Sequence, residues 1–503
     1  MSDGAPARDP LEGRPVLTAA TRAGNVIVGI PQRGVFGIFG YFLPDTSVLR
    51  GLKFQHLLTA KFLADAGRGS VKYAAIVAVV YQGGGAFASS FIGLASLIPG
   101  VVFSLYGGAI SDSLPKRVAL VIAYGTDVAL LIFVPLLFGD STLVLFMLVF
   151  AVTTLTQIAS PAEQTLVPLV TNEEQLATAN SVMGMVSSIG TAVGTAFLAP
   201  ILIKAFSTDA VFYVSAFLLF CAMTRVVHID SPRDIGREKF IKPKSNLIGA
   251  WRWLARNRSI GTMVAVSAVV GMGYTILSTL APTYVNDVLD TDPANTVYVM
   301  GIAGVGMTLS LFAVPALIKK FGERWVAAVG FLMLGAGLVG LGLIQRGAVD
   351  FLTPINPFHW INNWLDFINV SEKVELAMFL AFPVGMGAGL TDNSVKTYLN
   401  RRVPVPFQGR TFATRNLTES ALTIPPLLGV SALAAWIGIS AVLFIMPVVF
   451  YGIVLALLRV SAQLSGDEEE VKEGVLKTYW EASEEEEITS MDEDDGTVAA
   501  ATT

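Results

Sequence analysis

Long apolar stretches recur along this sequence, and their length constrains the fold more than any other feature. A helix needs about 20 apolar residues to cross a hydrocarbon core of about 30 Å. Only 15% of the residues are charged, against roughly 25% in soluble domains. We therefore predict an all-α integral membrane protein with twelve transmembrane helices. They are expected near residues 54–81, 86–111, 117–138, 142–162, 177–204, 209–227, 259–286, 296–318, 325–345, 372–400, 408–436 and 438–461.

Lysine and arginine are distributed unevenly among the predicted loops. The loop 225–258 holds nine of them and the loops of the same parity hold eight more, whereas the opposite loops hold only Lys204, Arg346 and Lys373. Positive residues stay on the cytoplasmic side of a membrane. We therefore expect a multi-pass protein of the inner (cytoplasmic) membrane with both termini in the cytoplasm.

The chain divides into five regions by composition. Residues 466–503 contain fourteen Asp or Glu against two Lys, which is typical of a disordered, solvated segment. The predicted regions are a cytoplasmic N-terminal segment with an interfacial helix (1–53), a six-helix bundle (54–227), a basic cytoplasmic linker (228–258), a second six-helix bundle (259–462) and an acidic disordered cytoplasmic tail (463–503).

Cysteine and histidine indicate which functions are absent. Cys221 is the one cysteine and lies in an apolar stretch, while His56, His228 and His359 have no metal-ligand spacing. The sequence has no Gly-rich phosphate loop with its lysine, and no nucleophile and base arrangement consistent with the predicted helices. We expect no metal, no cofactor, no ATP-driven step, no enzymatic activity and no nucleic-acid partner.

Two similar segments occur in corresponding places of the two halves. The segment "GGAISDSLPKR" (107–117) separates the second and third stretches, and "PALIKKFGER" (315–324) separates the eighth and ninth. Two parallel six-helix repeats joined by a cytoplasmic loop are the plan of a rocking transporter, in which the substrate site lies between the halves.

Three segments carry a resemblance to a known family. They are "GGAISDSLPKR" (107–117), "SPAEQTLVPLVTNEEQLATAN" (160–180) and "LIGAWRWLARNRSI" (247–260). They resemble, in order, the Gly-x-x-x-Asp-x-x-x-Arg-Arg loop, a Pro-Ala then Leu-x-x-Ala-Asn connection, and the linker helix of major facilitator superfamily transporters. The closest resemblance within the superfamily is to drug exporters and lysophospholipid transporters.

The resemblance implies a cytoplasmic gate and a mode of transport. The gate loop would comprise Gly108, Asp112, Lys116 and Arg117, whose charges latch the cytoplasmic side in one state; the alternative is that the two basic residues only anchor the loop. Proton antiport is implied by the family. The fifth stretch, however, has Thr191 where antiporters of the family commonly have proline, and the fourth stretch lacks the arginine found in many proton-driven drug exporters.

The first apolar stretch contains an unusual stripe of charge. Lys61, Asp65, Arg68 and Lys72 are spaced four, three and four residues apart and fall on one helical face. A charge exposed to lipid costs about 2.5 to 3.5 kcal/mol on insertion scales, so this face must look into the bundle or into water.

Four further charges, Asp127, Asp392, Lys396 and Glu419, lie within predicted helices and make a balanced set of four positive and four negative. One hypothesis is a network of internal ion pairs. The other is that these groups bind substrate or a proton, because a buried carboxylate that loses its cation takes up a proton more readily. In that case Arg68 and Lys72 would hold an anionic group. The candidate pathway residues are Asp65, Arg68, Lys72, Asp127, Gln157, Asp392, Lys396 and Glu419.

The predicted function is secondary active transport of a small organic or amphipathic molecule, similar to a drug-efflux substrate, by alternating access coupled to protons. Its partners would be a small-molecule or lipid-like substrate, protons and the bilayer. A lysophospholipid flippase, and a sensor or scaffold with an inert bundle, remain as alternatives.

Overall fold

The computed structural model describes residues 49, 51–103, 115–171, 175–229, 258–346, 354, 356–358, 371–402 and 405–462. Within these ranges the chain is helical and contains no strand. The predicted N-terminal segment (1–53) is almost wholly outside them, as are the acidic tail (463–503), nearly all of the linker and most of the outer loop 346–372.

Twelve helices run through the described ranges, as the apolar stretches predict. The first half comprises α1 (Leu52–Tyr81), α2 (Ala86–Val102), α3 (Lys116–Phe138), α4 (Thr142–Val170), α5 (Leu176–Ala192) and α6 (Thr208–Val227). The second half comprises α7 (Arg258–Asp287), α8 (Thr296–Phe321), α9 (Glu323–Leu343), α10 (Glu372–Arg402), α11 (Val405–Ile437) and α12 (Ile439–Ala462). Helix α5 continues through a π-helical turn, Val193–Leu198, into Ala199–Ala205.

The lengths of these helices suit a membrane. In the described ranges, nine helical stretches are long and apolar enough to cross one, and α2 and the first part of α12 are shorter apolar helices. Helix α1 has 30 residues and carries the charged stripe. The predicted end of the fourth helix at residue 162 was wrong, because α4 continues to Val170.

Each half has its own hydrophobic core. Phe54, Tyr124 and Phe212 lie in the first, together with residues from α1, α3, α4 and α6. A second core is built chiefly by α7, α9, α10 and α12. Leu97 of α2 belongs to the second core, so α2 links the halves.

Hydrogen bonds join the two halves at the end of the bundle where α1 finishes, which we call the Tyr81 end. The Tyr81 hydroxyl donates to Asp292 at 2.6 Å. Lys204, at the end of the fifth helix, donates to the Tyr298 hydroxyl at 2.6 Å. The Ser89 and Thr283 hydroxyls are 2.9 Å apart. The halves therefore meet at this end through polar contacts.

Glycines allow α1 and the fifth helix to pack backbone against backbone. The Ser70 hydroxyl donates to the Gly194 carbonyl at 3.1 Å, and a methyl group on Gly194 would overlap the carbonyl of Ala66. A methyl group on Gly190 would lie 2.9 Å from the carbonyl oxygen of Phe62. Small residues permit such close approach in membrane bundles, and this contact fixes the helix that carries the charged stripe.

We expect Gly194→Ala to lower the free energy of unfolding by about 1 to 3 kcal/mol, because the added methyl overpacks the α1 contact. The matched control is Gly184→Ala on α5, where nothing lies within 4 Å of the added carbon. Cys221, which is 1% exposed, reports unfolding in detergent by its reaction with a thiol-specific dye. Identical melting curves for the two variants would contradict the close packing.

Candidate functional site

The charged stripe of α1 meets charged side chains from α3 and α4. Arg68 donates from Nη2 and Nε to a single oxygen, Oδ2 of Asp127, at 2.8 and 3.1 Å. Asp127 is fully buried and Arg68 is 9% exposed. The pair is therefore shielded from both lipid and bulk water.

A second pair lies about two turns closer to the start of α1. The Lys61 ammonium is 2.6 Å from Oε2 of Glu163 and 3.1 Å from Oδ2 of Asp65. The Tyr124 hydroxyl donates to the other oxygen of Glu163 at 2.7 Å, and the Arg68 guanidinium lies 5.1 Å from the centre of the Tyr124 ring. Tyr124 thus bridges the two pairs. We call Lys61, Asp65, Arg68, Asp127 and Glu163 the first-half cluster.

The charges of the first-half cluster do not balance. Its members are three carboxylates and two bases. Asp127 receives both Arg68 bonds on Oδ2, and its Oδ1 is buried without a hydrogen-bond partner in the described part of the chain. The cluster therefore carries one negative charge too many when all its groups are ionised.

A second-half cluster comprises Asp392 and Lys396 of α10 with Arg415 and Glu419 of α11. The Lys396 ammonium is 2.7 Å from Asp392, and Arg415 donates to the other oxygen of Asp392. Arg415 also lies 3.7 Å from Glu419 and donates to the Ser267 hydroxyl of α7 at 2.7 Å. Two bases meet two carboxylates, so this cluster is balanced.

The second-half cluster is also more accessible. The side chains of Asp392 and Lys396 are 21% and 35% exposed, whereas that of Arg415 is 7% exposed. Glu419 lies directly on the backbone of α7, since a methyl group on Gly271 would overlap its carboxylate. The glycine leaves the space that this carboxylate occupies.

The structure confirms the internal-pairing hypothesis for Arg68 with Asp127 and for Asp392 with Lys396. The predicted set of four positive and four negative charges was incomplete, because Glu163 and Arg415 also belong to the clusters; with them the set has five charges of each sign. Glu163 lay just past the predicted end of the fourth helix. Arg415 stood inside a predicted helix, four residues before Glu419, and that spacing was the signal for it.

The remaining sequence candidates lie apart from the clusters. A methyl group on Gly100 would lie 3.9 Å from the Gln157 amide nitrogen and 3.3 Å from the Ser420 hydroxyl, so Gln157 is near the contact of α2 with α11. Of the predicted gate loop, Lys116 and Arg117 begin α3 and are partly buried. Gly108 and Asp112 lie outside the described residues.

A small crevice, with room for about one water molecule, lies between the halves. Its lining includes Ser188 and Ile189 of α5, Met307 and Leu311 of α8, and Asn393 of α10. This space is far smaller than the roughly 300 to 1,000 Å³ of a usual small-molecule site.

Comparison with known proteins shows which family has this architecture. A sequence profile of the family described as Major Facilitator Superfamily matches residues 57–424. The chain belongs to the Major Facilitator Superfamily. It is similar to the uncharacterized MFS-type transporter YfiS of Bacillus subtilis (strain 168), with 27% identity over 248 residues, which are 48% of this chain and 53% of the relative. The match thus spans about half of that relative.

Solved transporter structures share the fold of this superfamily member. The nucleoside transporter NupG matches with a TM-score of 0.61 and 11% identity, covering 82% of this chain and 100% of that one. A POT family transporter in complex with 5-aminolevulinic acid matches with a TM-score of 0.59 and 14% identity, covering 83% and 97%. At this identity the likeness shows the fold, which confirms the predicted all-α architecture of two six-helix halves.

We expect Asp127→Leu to lower the free energy of unfolding by about 3 to 5 kcal/mol, since it leaves Arg68 buried without its partner. The double variant Arg68→Met with Asp127→Leu should lose less than this single variant, because it leaves no unpaired charge. The same Cys221 reaction measures the wild type, the two single variants Asp127→Leu and Arg68→Met, and the double variant.

The control for this cycle is the exposed ion pair of Lys373 with Asp290, whose side chains are 40% and 72% exposed. Lys373→Met should change the free energy of unfolding by about 1 kcal/mol or less. Strictly additive losses for the Arg68 and Asp127 variants would show that the pair is not coupled.

Proposed function

We propose that this superfamily member is a secondary active transporter that exports a small organic or amphipathic molecule by alternating access, in exchange for protons. Membership of the superfamily supports transport. The buried, uncompensated charge of the first-half cluster is the observation that supports proton coupling.

The distribution of Lys and Arg supports an orientation in the inner membrane with both termini in the cytoplasm. The Tyr81 end then faces outward, and its contacts close the outer side. Asp127 lies about 16 Å along α3 from Lys116, and Glu163 lies about 10 Å from the end of α4 at Val170, at 1.5 Å per residue. In this orientation the first-half cluster lies nearer the cytoplasmic ends of α3 and α4.

The charge of the first-half cluster supplies the chemistry for coupling. A site with three carboxylates and two bases becomes neutral when one carboxylate binds one proton. Neutrality is favoured in a low-dielectric interior, where uncompensated charge is costly. Asp127, with one oxygen unpartnered, and Glu163, shared between Lys61 and Tyr124, are the proposed carriers.

The second-half cluster has a different proposed role. Asp392, Lys396, Arg415 and Glu419 are balanced and more exposed, so they suit pairing that rearranges as the halves move. Glu419 rests on Gly271 of α7 within the same half, so this cluster joins α7, α10 and α11 to one another while the halves move. This gives each half a distinct part in the cycle.

The test is transport by purified protein in liposomes with an imposed pH gradient. Ethidium serves as a cationic probe and palmitoyl lysophosphatidylglycerol as an anionic, lipid-like probe. We expect proton movement that depends on a transported probe, and at least a tenfold slower proton movement in Glu163→Gln or Asp127→Asn, because a carboxamide binds no proton at this site.

Glu323→Gln is the matched control, since Glu323 pairs with Arg401 at the start of α9 and belongs to neither cluster. It should retain the wild-type rate. Probe movement that is independent of the pH gradient would refute proton coupling and leave a facilitator or flippase. A protein that moves neither probe nor protons, while fully folded, would favour the sensor or scaffold.

A further inference from the structure

Lys72 differs from the other charges of the α1 stripe because it has no hydrogen-bond or ion-pair partner among the described residues. Lys61 and Arg68 are met by carboxylates of the first-half cluster. The Lys72 ammonium forms no hydrogen bond or ion pair with any residue that the structure describes, and no carboxylate offsets its burial there.

The position of Lys72 is well inside the membrane. It precedes the end of α1 at Tyr81 by about 14 Å at 1.5 Å per residue. Its neighbours one turn away on the same face, Arg68 and Ile76, are both buried in the bundle, and Lys72 itself is only partly buried. Its side chain therefore faces the interior of the protein and retains some access there.

Helix α7, which packs against α1, carries a second polar group without a partner. Tyr274 precedes the end of α7 at Asp287 by about 20 Å, so it lies at a comparable depth. Its hydroxyl has no hydrogen-bond partner among the described residues, and its ring packs against the second core. A cation and a hydroxyl donor are thus left unsatisfied on facing repeats.

We propose that Lys72 binds the anionic group of the transported substrate, a single carboxylate or phosphate carried on an apolar body. This inference rests on the proposed transport function. An ammonium inside the membrane that has no partner among the described residues is stabilised by an anion that accepts its charge-assisted hydrogen bonds. Lys61 and Arg68 are already paired, so neither offers a free positive charge to such a ligand.

The residues near Lys72 are the reason for proposing that the substrate has an apolar body. Gly69, three residues before Lys72, lies against the fifth helix at Thr195. The next residues of that helix, Ala196 and Phe197, pack against Met300 of the second half. An amphipathic anion matches this combination of one cation and apolar walls, whereas an amphipathic cation would meet repulsion at Lys72.

The experiment measures binding to the purified full-length protein in lipid nanodiscs. The probes are dodecyl phosphate, dodecanoate, phenyl phosphate and dodecyltrimethylammonium. We expect wild-type protein to bind an anionic probe more tightly than the cationic one. Lys72→Met should weaken anion binding at least tenfold, and Lys72→Arg should keep it within about threefold of wild type, since arginine preserves the charge.

Lys319→Met is the control, because it removes an exposed lysine at the distant end of α8 and should leave anion binding unchanged. The melting curve reported by Cys221 shows whether each variant is folded. A folded Lys72→Met protein that binds the anions like wild type overturns the proposal, as does a wild-type preference for dodecyltrimethylammonium.

Two comparisons identify the source of the anion and separate anion binding from transport. Binding of dodecyl phosphate without phenyl phosphate supports an anion drawn from the bilayer, whereas equal binding of both supports an anion from the aqueous phase. Liposomes test transport itself: Lys72-dependent binding without movement of the probe sustains the anion site and refutes transport. Movement of ethidium that is unaffected by Lys72→Met, together with anion binding that does not depend on Lys72, sustains transport and refutes the anion site.

Discussion

A charge inside a membrane has to be met by an opposite charge or by water, and the arrangement of this bundle depends on how that requirement is satisfied. Arg68 and Asp127 are the deepest example, with Asp127 fully buried and held by two bonds from one guanidinium. The pair joins α1 to α3. Lys61 joins α1 to α4 through Glu163 in the same way. Ion pairs thus fix the orientation of α1 about its own axis, which apolar packing alone would leave less defined.

The two halves satisfy this requirement differently, although they repeat the same fold. The first-half cluster is buried and has one carboxylate in excess, while the second-half cluster is balanced and partly exposed. The two halves of this pseudo-symmetric fold therefore differ in charge and in exposure, which is the basis of the proposed uptake of a proton by the first half. The superfamily fold permits this because its charged sites lie on separate helices of each repeat.

Contact between the halves is polar at the Tyr81 end and apolar where Leu97 of α2 joins the second core. Hydroxyl groups meet across the Tyr81 end at Ser89 with Thr283 and at Tyr81 with Asp292. Such bonds contribute only about 0.5 to 1.5 kcal/mol each, because water replaces them when they break. By contrast, the α1 contact with Gly194 buries backbone against backbone within one half. The polar contacts between the halves at the Tyr81 end therefore exchange with water more readily than this backbone contact within the first half.

The sequence by itself determined the membrane class, the twelve helices, the repeat and the face of α1 that carries charge. These properties depend on local composition and helical spacing, which the chain states directly. Sequence spacing also anticipated Asp392 with Lys396, one turn apart on α10. Only the tertiary structure decided that Glu163 joins Lys61, that Arg415 joins Asp392, and that Lys72 has no partner within the described part of the chain. Those outcomes depend on which helix faces meet, and the helices concerned are far apart in the sequence. The partner of a charged side chain is therefore known only once the packing of the helices is known.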